Sequence, residues 1–395
     1  MIRPKIIFLL PDWSAGGMPV VADRLIRHFK SKYSIDLLLI NDKEPQSKLP
    51  DDIKVQKGFK EAKTMFGKLP LFVRRVLWLK KQEKNVHADL IVSFGVLANT
   101  INVFANKSKA VLTEHSVKSV ENQRWGLSGI LFQYLIKKCY PRAIRVVGVS
   151  EGVVQDLEVN FDVENAVAIY NPSQDSKLKT VNDDESLPAD VADFVQERNY
   201  FVYAGRLVDS KQIDLIVRGF ARRKDRESLA LIIIGEGDAR EELEQLIMQL
   251  NEQDSIKLVG QRSDVSLLMK HATGTILYSQ YEGFGNVLTE SLFVGTKILV
   301  GDSIVGPREI VSNGEFVDYS VKVDEIEKFA NGMLLPLRNG SAAEQLIATG
   351  IDQWSSFLVQ SDPVDISRLS DEIVFEKYES VINQSLKVSR EKLKK

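Results

Sequence analysis

The chain has 395 residues, 44% of them apolar and 27% charged, with 52 Lys+Arg against 54 Asp+Glu. This balance excludes a disordered tail, a collagenous chain and a small disulfide scaffold, and the length sets a prior of about two to three domains. The near-zero net charge hides an asymmetry: residues 1–172 hold 26 Lys+Arg and 17 Asp+Glu, whereas residues 173–395 hold 26 and 37.

Halves of opposite sign point to two domains with different partners, the basic one suited to an anionic surface or substrate. One cysteine, Cys139, cannot close an internal disulfide, which points to a reducing, cytoplasmic compartment. No apolar run approaches the roughly 18 residues of a membrane span. The run 6–10, ended by Pro11-Asp12, is too short for a signal-peptide core.

Residues 5–10 (KIIFLL) read as a buried strand, after which Gly16-Gly17 opens a helix to about His28. Further strands are predicted at 35–40, 89–94, 110–113, 144–149 and 166–170, with helical patterns between most of them. Such alternation predicts a parallel sheet covered on both faces. Asn171-Pro172 stops the last strand, and the polar, acidic stretch that follows reads as an interdomain linker over 173–198. The pattern then restarts, with strands at 200–204, 229–234, 256–259, 275–278 and 298–300 and helices at 211–224 and 238–250. Helical patterning dominates from about 323 onward. The expected units are a first domain 1–172, a second domain 199–370, and a terminal helix 371–395 that packs back on the first. The fold class is α/β, two doubly wound Rossmann-like domains facing across a cleft. Ligands of open α/β sheets bind at the carboxyl ends of the strands.

The strongest motif is Glu282-Gly283-Phe284-Gly285-Asn286-Val287-Leu288-Thr289-Glu290, which opens a helix running to about Val294. Its glycines let a ligand approach the backbone. The N–H groups of Gly285, Asn286 and Val287 at a helix start favour phosphate oxygens. Glu282 and Glu290 would lie about 12 Å apart on a continuous helix and would touch different parts of one extended ligand. Carboxylates at a helix start also have a purely structural use. Glu290, in an otherwise apolar face, needs a partner, and a sugar hydroxyl pair would serve.

Gly205-Arg206-Leu207-Val208-Asp209-Ser210-Lys211 lies at the same sheet edge. Arg206 and Lys211 would stabilise a departing diphosphate; alternatively they are two solvated basic side chains. Gly16-Gly17 lacks the G-x-G-x-x-G spacing of a nicotinamide site, and Gly235-Glu236-Gly237 is a glycine turn. His115 ends another strand at the expected cleft. The four histidines, His28, His87, His115 and His271, show no metal-ligand spacing. A phosphate loop, a D-x-D pair and a nucleophile elbow are all missing from the sequence. The expectation is therefore neither a metal nor a cofactor.

The ordered set of motifs resembles a retaining glycosyltransferase of the GT-B fold, family 4 (glycosyl transferases group 1). Gly16-Gly17 matches the amino-terminal glycine loop. Val149-Ser150-Glu151 and Tyr170-Asn171-Pro172 match segments closing the first domain. Gly205-Arg206-Leu207 with Lys211 matches the basic donor-phosphate pair, and Glu282 to Glu290 matches the E-x7-E signature. The resemblance implies an acceptor-side first domain and a nucleotide-sugar-binding second domain. Glu290 would hold the donor ribose and Glu282 the sugar hydroxyls. Gly205, Phe284, Gly285, Asn286 and Val287 would line phosphate and sugar, and Arg206 with Lys211 would carry the diphosphate charge. Gly16 and Gly17 would line the phosphate and acceptor side, and His115 would approach the transferred sugar.

Two departures stand out: Gln212 where glycine is frequent, and the bulky Leu292, Phe293 and Val294. The downstream segment from Asp302 to Ile310 resembles bacterial lipopolysaccharide, capsule and lipid-linked-glycan transferases, which implies a nucleotide sugar donor, with UDP-sugars favoured, and a saccharide or lipid-linked glycan acceptor. The rivals are an epimerase or hydrolase on the same fold and a non-catalytic nucleotide-sugar-binding scaffold. Nucleic acid is not an expected partner, for want of a recognised motif. Basic amphipathic stretches at 57–84 and 125–145 suit peripheral attachment to an anionic inner-membrane surface or, equally, ordinary core-packing helices.

Overall fold

In the computed structural model, the apolar run 5–10 becomes strand β1 (Lys5–Leu10), a central strand buried along nearly its whole length. Residues 3–394 are described, other than 15, 46–47, 61–64, 122–125, 174–184, 304 and 320. They form two units, one of Met1–Pro172 with Asp371–Lys395 and one of Ser173–Ser370. Each unit is built on a seven-stranded sheet.

The first sheet comprises β1, β2 (Ser34–Asn41), β3 (Lys54–Phe59), β4 (Leu90–Phe94), β5 (Ala110–Glu114), β6 (Arg145–Gly148) and β7 (Ala166–Ala168). Its order is β3-β2-β1-β4-β5-β6-β7, with every pair parallel. Alternate β1 residues face opposite layers, as strand geometry requires. Ile6, Phe8 and Leu10 pack with Val21, Leu25 and Phe29 of the helix Gly17–Phe29. Ile7 and Leu9 pack with Leu79, Ala98 and Ile101 on the other face. β3, with the sequence KVQKGF and no fully buried residue, is an edge strand that hydrophobic patterning does not reveal.

The helix Asp371–Lys394 belongs to this same unit. Val374, Tyr378, Val381, Ile382 and Leu386 lie in the core beside Phe29 and Tyr33. The His28 and Phe375 rings stack at 3.8 Å, Tyr33 donates to Asn383 Oδ1 at 3.0 Å, and Ser389 Oγ donates to the Asp89 carbonyl at 3.0 Å.

The second sheet comprises β8 (Asn199–Ala204), β9 (Leu229–Ile234), β10 (Ile256–Gly260), β11 (Gly274–Leu277), β12 (Ile298–Gly301), β13 (Glu327–Phe329) and β14 (Gly332–Leu335). Its order is β10-β9-β8-β11-β12-β14-β13, parallel except for β13 against β14. The helical expectation beyond 323 is therefore corrected at 327–335. β14 (GMLL) is fully buried between two strands, and tertiary burial outweighs the helical preference of Met and Leu. The stretch 173–198 also contains the short helix Ala189–Val195, which buries Val191 and Val195; residues 174–184 of that stretch lie outside those described.

Candidate active site

Strands β8 and β11 are neighbours, with Gly274 opposite Phe201 and Thr275 opposite Val202. The segments leaving their carboxyl ends therefore run side by side. Gln280 N–H donates to the Ser210 carbonyl at 2.9 Å. The Lys211 ammonium is ion-paired with Glu282 Oε1, and Ser279 Oγ donates to that same oxygen at 2.9 Å. Ser279 is itself fully buried, and its carbonyl accepts from Ser303 Oγ at 2.7 Å. The sequence reading gives Lys211 to the diphosphate and Glu282 to the sugar; the fold makes the two side chains partners.

Arg206 is exposed, and its guanidinium takes part in no ion pair among the described residues. Its carbonyl accepts from the Tyr203 hydroxyl at 3.2 Å. Burial, and then the Glu282 charge, push the Tyr203 phenol far up from its usual range, with Arg206 acting against them. Tyr203 thus stays a protonated donor beside both charged groups. The 205–211 loop is tied to the Gly235 turn: Gly205 N–H donates to the Ile234 carbonyl at 3.0 Å, and Leu207 N–H to the Glu236 carbonyl at 2.9 Å. Lys211 closes a short 3-10 turn (Asp209–Lys211) ahead of the helix Ile213–Ala221. Gln212 between them adopts φ 48°, ψ 42°, a left-handed conformation that glycine reaches without a Cβ penalty. This gives a physical reason for glycine being frequent at that position.

The E-x7-E segment is not one helix. Only Asn286–Phe293 is helical, and Gly285 caps it at φ 100°, ψ 62°, so the about 12 Å helical spacing does not apply across the motif. Leu288, Thr289, Ser291, Leu292 and Phe293 are buried, whereas Asn286, Val287 and Glu290 are only half-buried. Glu290 lies on one face with both of the others, four residues on from Asn286 and three from Val287. Glu290 therefore sits on the less buried face rather than within an apolar one. The bulky Leu292, Phe293 and Val294 fill core. Gly306 fixes the loop from behind: a Cβ there would lie 2.5 Å from the Phe284 carbonyl oxygen. Sequence reasoning missed Ser279, Tyr203 and Gly306 as parts of the site. For Ser279 the available signal was a hydroxyl at a strand end three residues before Glu282.

In the other unit, the helix Gly17–Phe29 begins at the exposed glycines Gly16 and Gly17. His115 follows β5, with Nε2 3.0 Å from Thr113 Oγ1, its backbone N–H donating to Glu114 Oε1 at 2.9 Å, and its ring stacked at 5.8 Å on Phe94. Burial, aided by the Lys118 charge, lowers its pKa to about 3, so the ring is neutral and serves as a hydrogen-bonding group rather than a cation. Beneath it, Tyr140 donates to Glu114 Oε2 at 2.7 Å and Lys118 Nζ lies 3.1 Å from Glu114 Oε1.

Residues 189–353 match the family described as Glycosyl transferases group 1, and residues 15–173 match Glycosyltransferase Family 4. A Campylobacter jejuni protein named N-acetylgalactosamine-N,N'-diacetylbacillosaminyl-diphospho-undecaprenol 4-alpha-N-acetylgalactosaminyltransferase is 28% identical over 338 residues, covering 83% of this chain and 89% of that one. Among solved structures, the apo lipopolysaccharide outer core galactosyltransferase WaaB superposes with a TM-score of 0.69 at 19% identity, over 96% of this chain and 99% of that one. Anabaena HepE in complex with UDP and glucose superposes with a TM-score of 0.70 at 18% identity, over 97% and 98%. At these identities the two structures establish a shared architecture.

Proposed function

The chain belongs to glycosyltransferase family 4 and has the GT-B fold, and from that footing we propose that it transfers a hexose or N-acetylhexosamine from a UDP-sugar to a saccharide or lipid-linked acceptor in cell-surface polysaccharide assembly, with retained anomeric configuration and without a metal ion. The observation that carries the reading is the Lys211–Glu282 pair across β8 and β11. An incoming pyrophosphate competes with Glu282 for Lys211. Its charge is then met by Lys211, Arg206 and the positive end of the helix Asn286–Phe293. Glu282, relieved of its cation, accepts hydroxyls of the sugar, and Glu290, on the helix's less buried face, accepts those of the ribose.

Transfer breaks the bond between the anomeric carbon and the diphosphate oxygen and forms one to the acceptor oxygen on the same face. A diphosphate oxygen takes the acceptor's proton, so no side-chain base is required. Arg206 and Lys211 supply the positive charge that a divalent cation supplies elsewhere. The UDP preference is supported by HepE, solved with UDP and glucose, and the acceptor class by the lipid-linked acceptor in the name of the Campylobacter relative.

The test incubates the purified chain with a panel of UDP-, GDP- and ADP-sugars and a membrane lipid extract, with and without EDTA. UDP release with an α-linked product from an α-configured donor, unaffected by EDTA, is expected. An altered free sugar nucleotide would support an epimerase instead, and binding without turnover a scaffold. A β-linked product or loss of activity with EDTA would overturn the mechanism.

A further inference from the structure

A buried polar network underlies His115 at the carboxyl end of β5. Thr113 is fully buried, and its hydroxyl donates to the Ser93 carbonyl of β4 at 3.0 Å. Asn99 Nδ2 donates to the Thr113 carbonyl at 2.9 Å and to the Tyr140 hydroxyl at 3.0 Å. The Tyr140 hydroxyl donates in turn to Glu114 Oε2, and the other oxygen of that carboxylate accepts the His115 backbone N–H. The backbone that carries the imidazole is thus tied to the sheet on which it stands.

Two contacts orient the ring. Phe94 stacks on it with the planes 26° apart, and Nε2 lies 3.0 Å from Thr113 Oγ1. Turning the imidazole over would set a carbon against that oxygen and lose the bond. The proton count then decides the tautomer. A hydroxyl has one hydrogen, and the Ser93 carbonyl, which has none to give, takes that of Thr113. Nε2 therefore supplies the hydrogen of the Thr113–His115 contact. The reverse assignment would leave Thr113 Oγ1 and the Ser93 oxygen as two acceptors facing each other at 3.0 Å. In a neutral imidazole one nitrogen donates and the other accepts, so Nδ1 carries the lone pair. Among the described residues Nδ1 has no hydrogen-bond partner, and the side chain is only half-buried.

We propose that Thr113 is a positioning residue: anchored on the Ser93 carbonyl, it fixes His115 in the Nε2–H tautomer, so that the ring meets substrate as a hydrogen-bond acceptor through Nδ1 and selects a saccharide hydroxyl or amide N–H. The tautomer follows from the network alone, whereas the saccharide rests on the sugar transfer proposed above. Valine has the shape of threonine without its oxygen. At position 113 it would leave the ring free to carry its hydrogen on either nitrogen. The fraction with Nδ1–H would then turn a donor toward the substrate's own donor, a mismatch that costs more than a missing bond.

The test is two-bond proton–nitrogen NMR of the full chain carrying isotope-labelled histidine at neutral pH, with sugar transfer measured on the same samples. The His115 signals are those missing from His115→Asn. The wild type should show the Nε2–H tautomer. Thr113→Val should show a mixture of tautomers and lose about fivefold to tenfold in kcat/KM for transfer, the scale of one hydrogen bond. Thr113→Ser, which restores the oxygen, should recover both the tautomer and the turnover. A merely structural role for Thr113 would move the melting temperature and leave the tautomer alone. Nδ1–H in the wild type or in Thr113→Ser, an unmixed Nε2–H signal in Thr113→Val, or a tautomer-shifted Thr113→Val that transfers sugar at the wild-type rate would overturn the proposal. If Thr113→Val does not fold, the wild-type and Thr113→Ser spectra still decide the tautomer. The expected spectra in a chain that transfers no sugar from any donor would support the tautomer and reject the sugar-transfer reading.

Discussion

Lys211 and Glu282 lie 71 positions apart in the chain, yet the Lys211 ammonium is held against Glu282 Oε1, which also accepts from Ser279 Oγ at 2.9 Å. The cation that the proposed function assigns to the diphosphate is thus held by a carboxylate across the β8–β11 boundary. Both side chains are largely buried, 20% and 11% exposed, so the pair competes directly with any anion that enters. Glu282→Gln should free Lys211 and tighten UDP binding by about twofold to fivefold, the scale of a surface-to-part-buried pair. Turnover should fall on the order of a hundredfold as the sugar loses its acceptor group. Calorimetry with UDP and steady-state kinetics separate the two effects; weaker UDP binding would contradict the competition.

His115 supplies a pH signature. Its folded pKa of about 3 lies below the unfolded value of about 6.5. Between those values the unfolded chain binds a proton that the folded chain does not. Stability from this residue is therefore complete above the unfolded value and is lost as pH falls through the window. On acidification from about pH 7 to pH 5 the wild-type melting temperature should fall more steeply than that of His115→Asn. Parallel curves would show that the ring titrates normally.

The contact of Gly306 with Phe284 predicts a distant effect on donor binding. Gly306 adopts φ 87°, and an added Cβ would strike the Phe284 carbonyl oxygen at 2.5 Å. Gly306→Ala should cost about 1–3 kcal/mol in backbone strain and shift the 284–285 turn. UDP affinity should drop along with the melting temperature. A stability loss with unchanged UDP affinity would show that Gly306 serves folding alone.

Gln212 predicts the opposite sign. It is buried and left-handed, and its Oε1 finds no hydrogen-bond partner among the described residues. Gln212→Gly removes both the strain and the orphaned acceptor, and should raise stability by about 1 kcal/mol, or a melting temperature by about 2–4 °C for a unit of this size. Calorimetric melting checks this, and a lower melting temperature would show that the side chain's packing outweighs its strain.

The sequence revealed the architecture where hydrophobic runs were continuous. KIIFLL at β1 and LALIII at β9 can be little other than buried strands. The half-buried polar edge β3 and the four-residue β14 gave no such signal, because the first has no continuous apolar run and the second is too short for a strand period to show. Residue types at the site were legible, since glycines followed by a helix start and two nearby cations point to phosphate from chemistry alone. Their mutual contacts were not. The Lys211–Glu282 pair exists because β8 and β11 are adjacent, a consequence of strand order rather than of spacing. The half-buried face that Glu290 shares with Asn286 and with Val287 depended on where the helix begins, which the left-handed Gly285 sets.

Turnover by the doubly neutralised Arg206→Ala, Lys211→Ala chain tests the central claim most directly, once the variant is shown to melt as a folded protein. If these cations hold the diphosphate as it leaves, kcat for sugar transfer should fall by about a thousandfold or more, on the scale of removed oxyanion donors, and UDP binding should weaken with it. A folded double variant that transfers sugar at the wild-type rate would contradict the account.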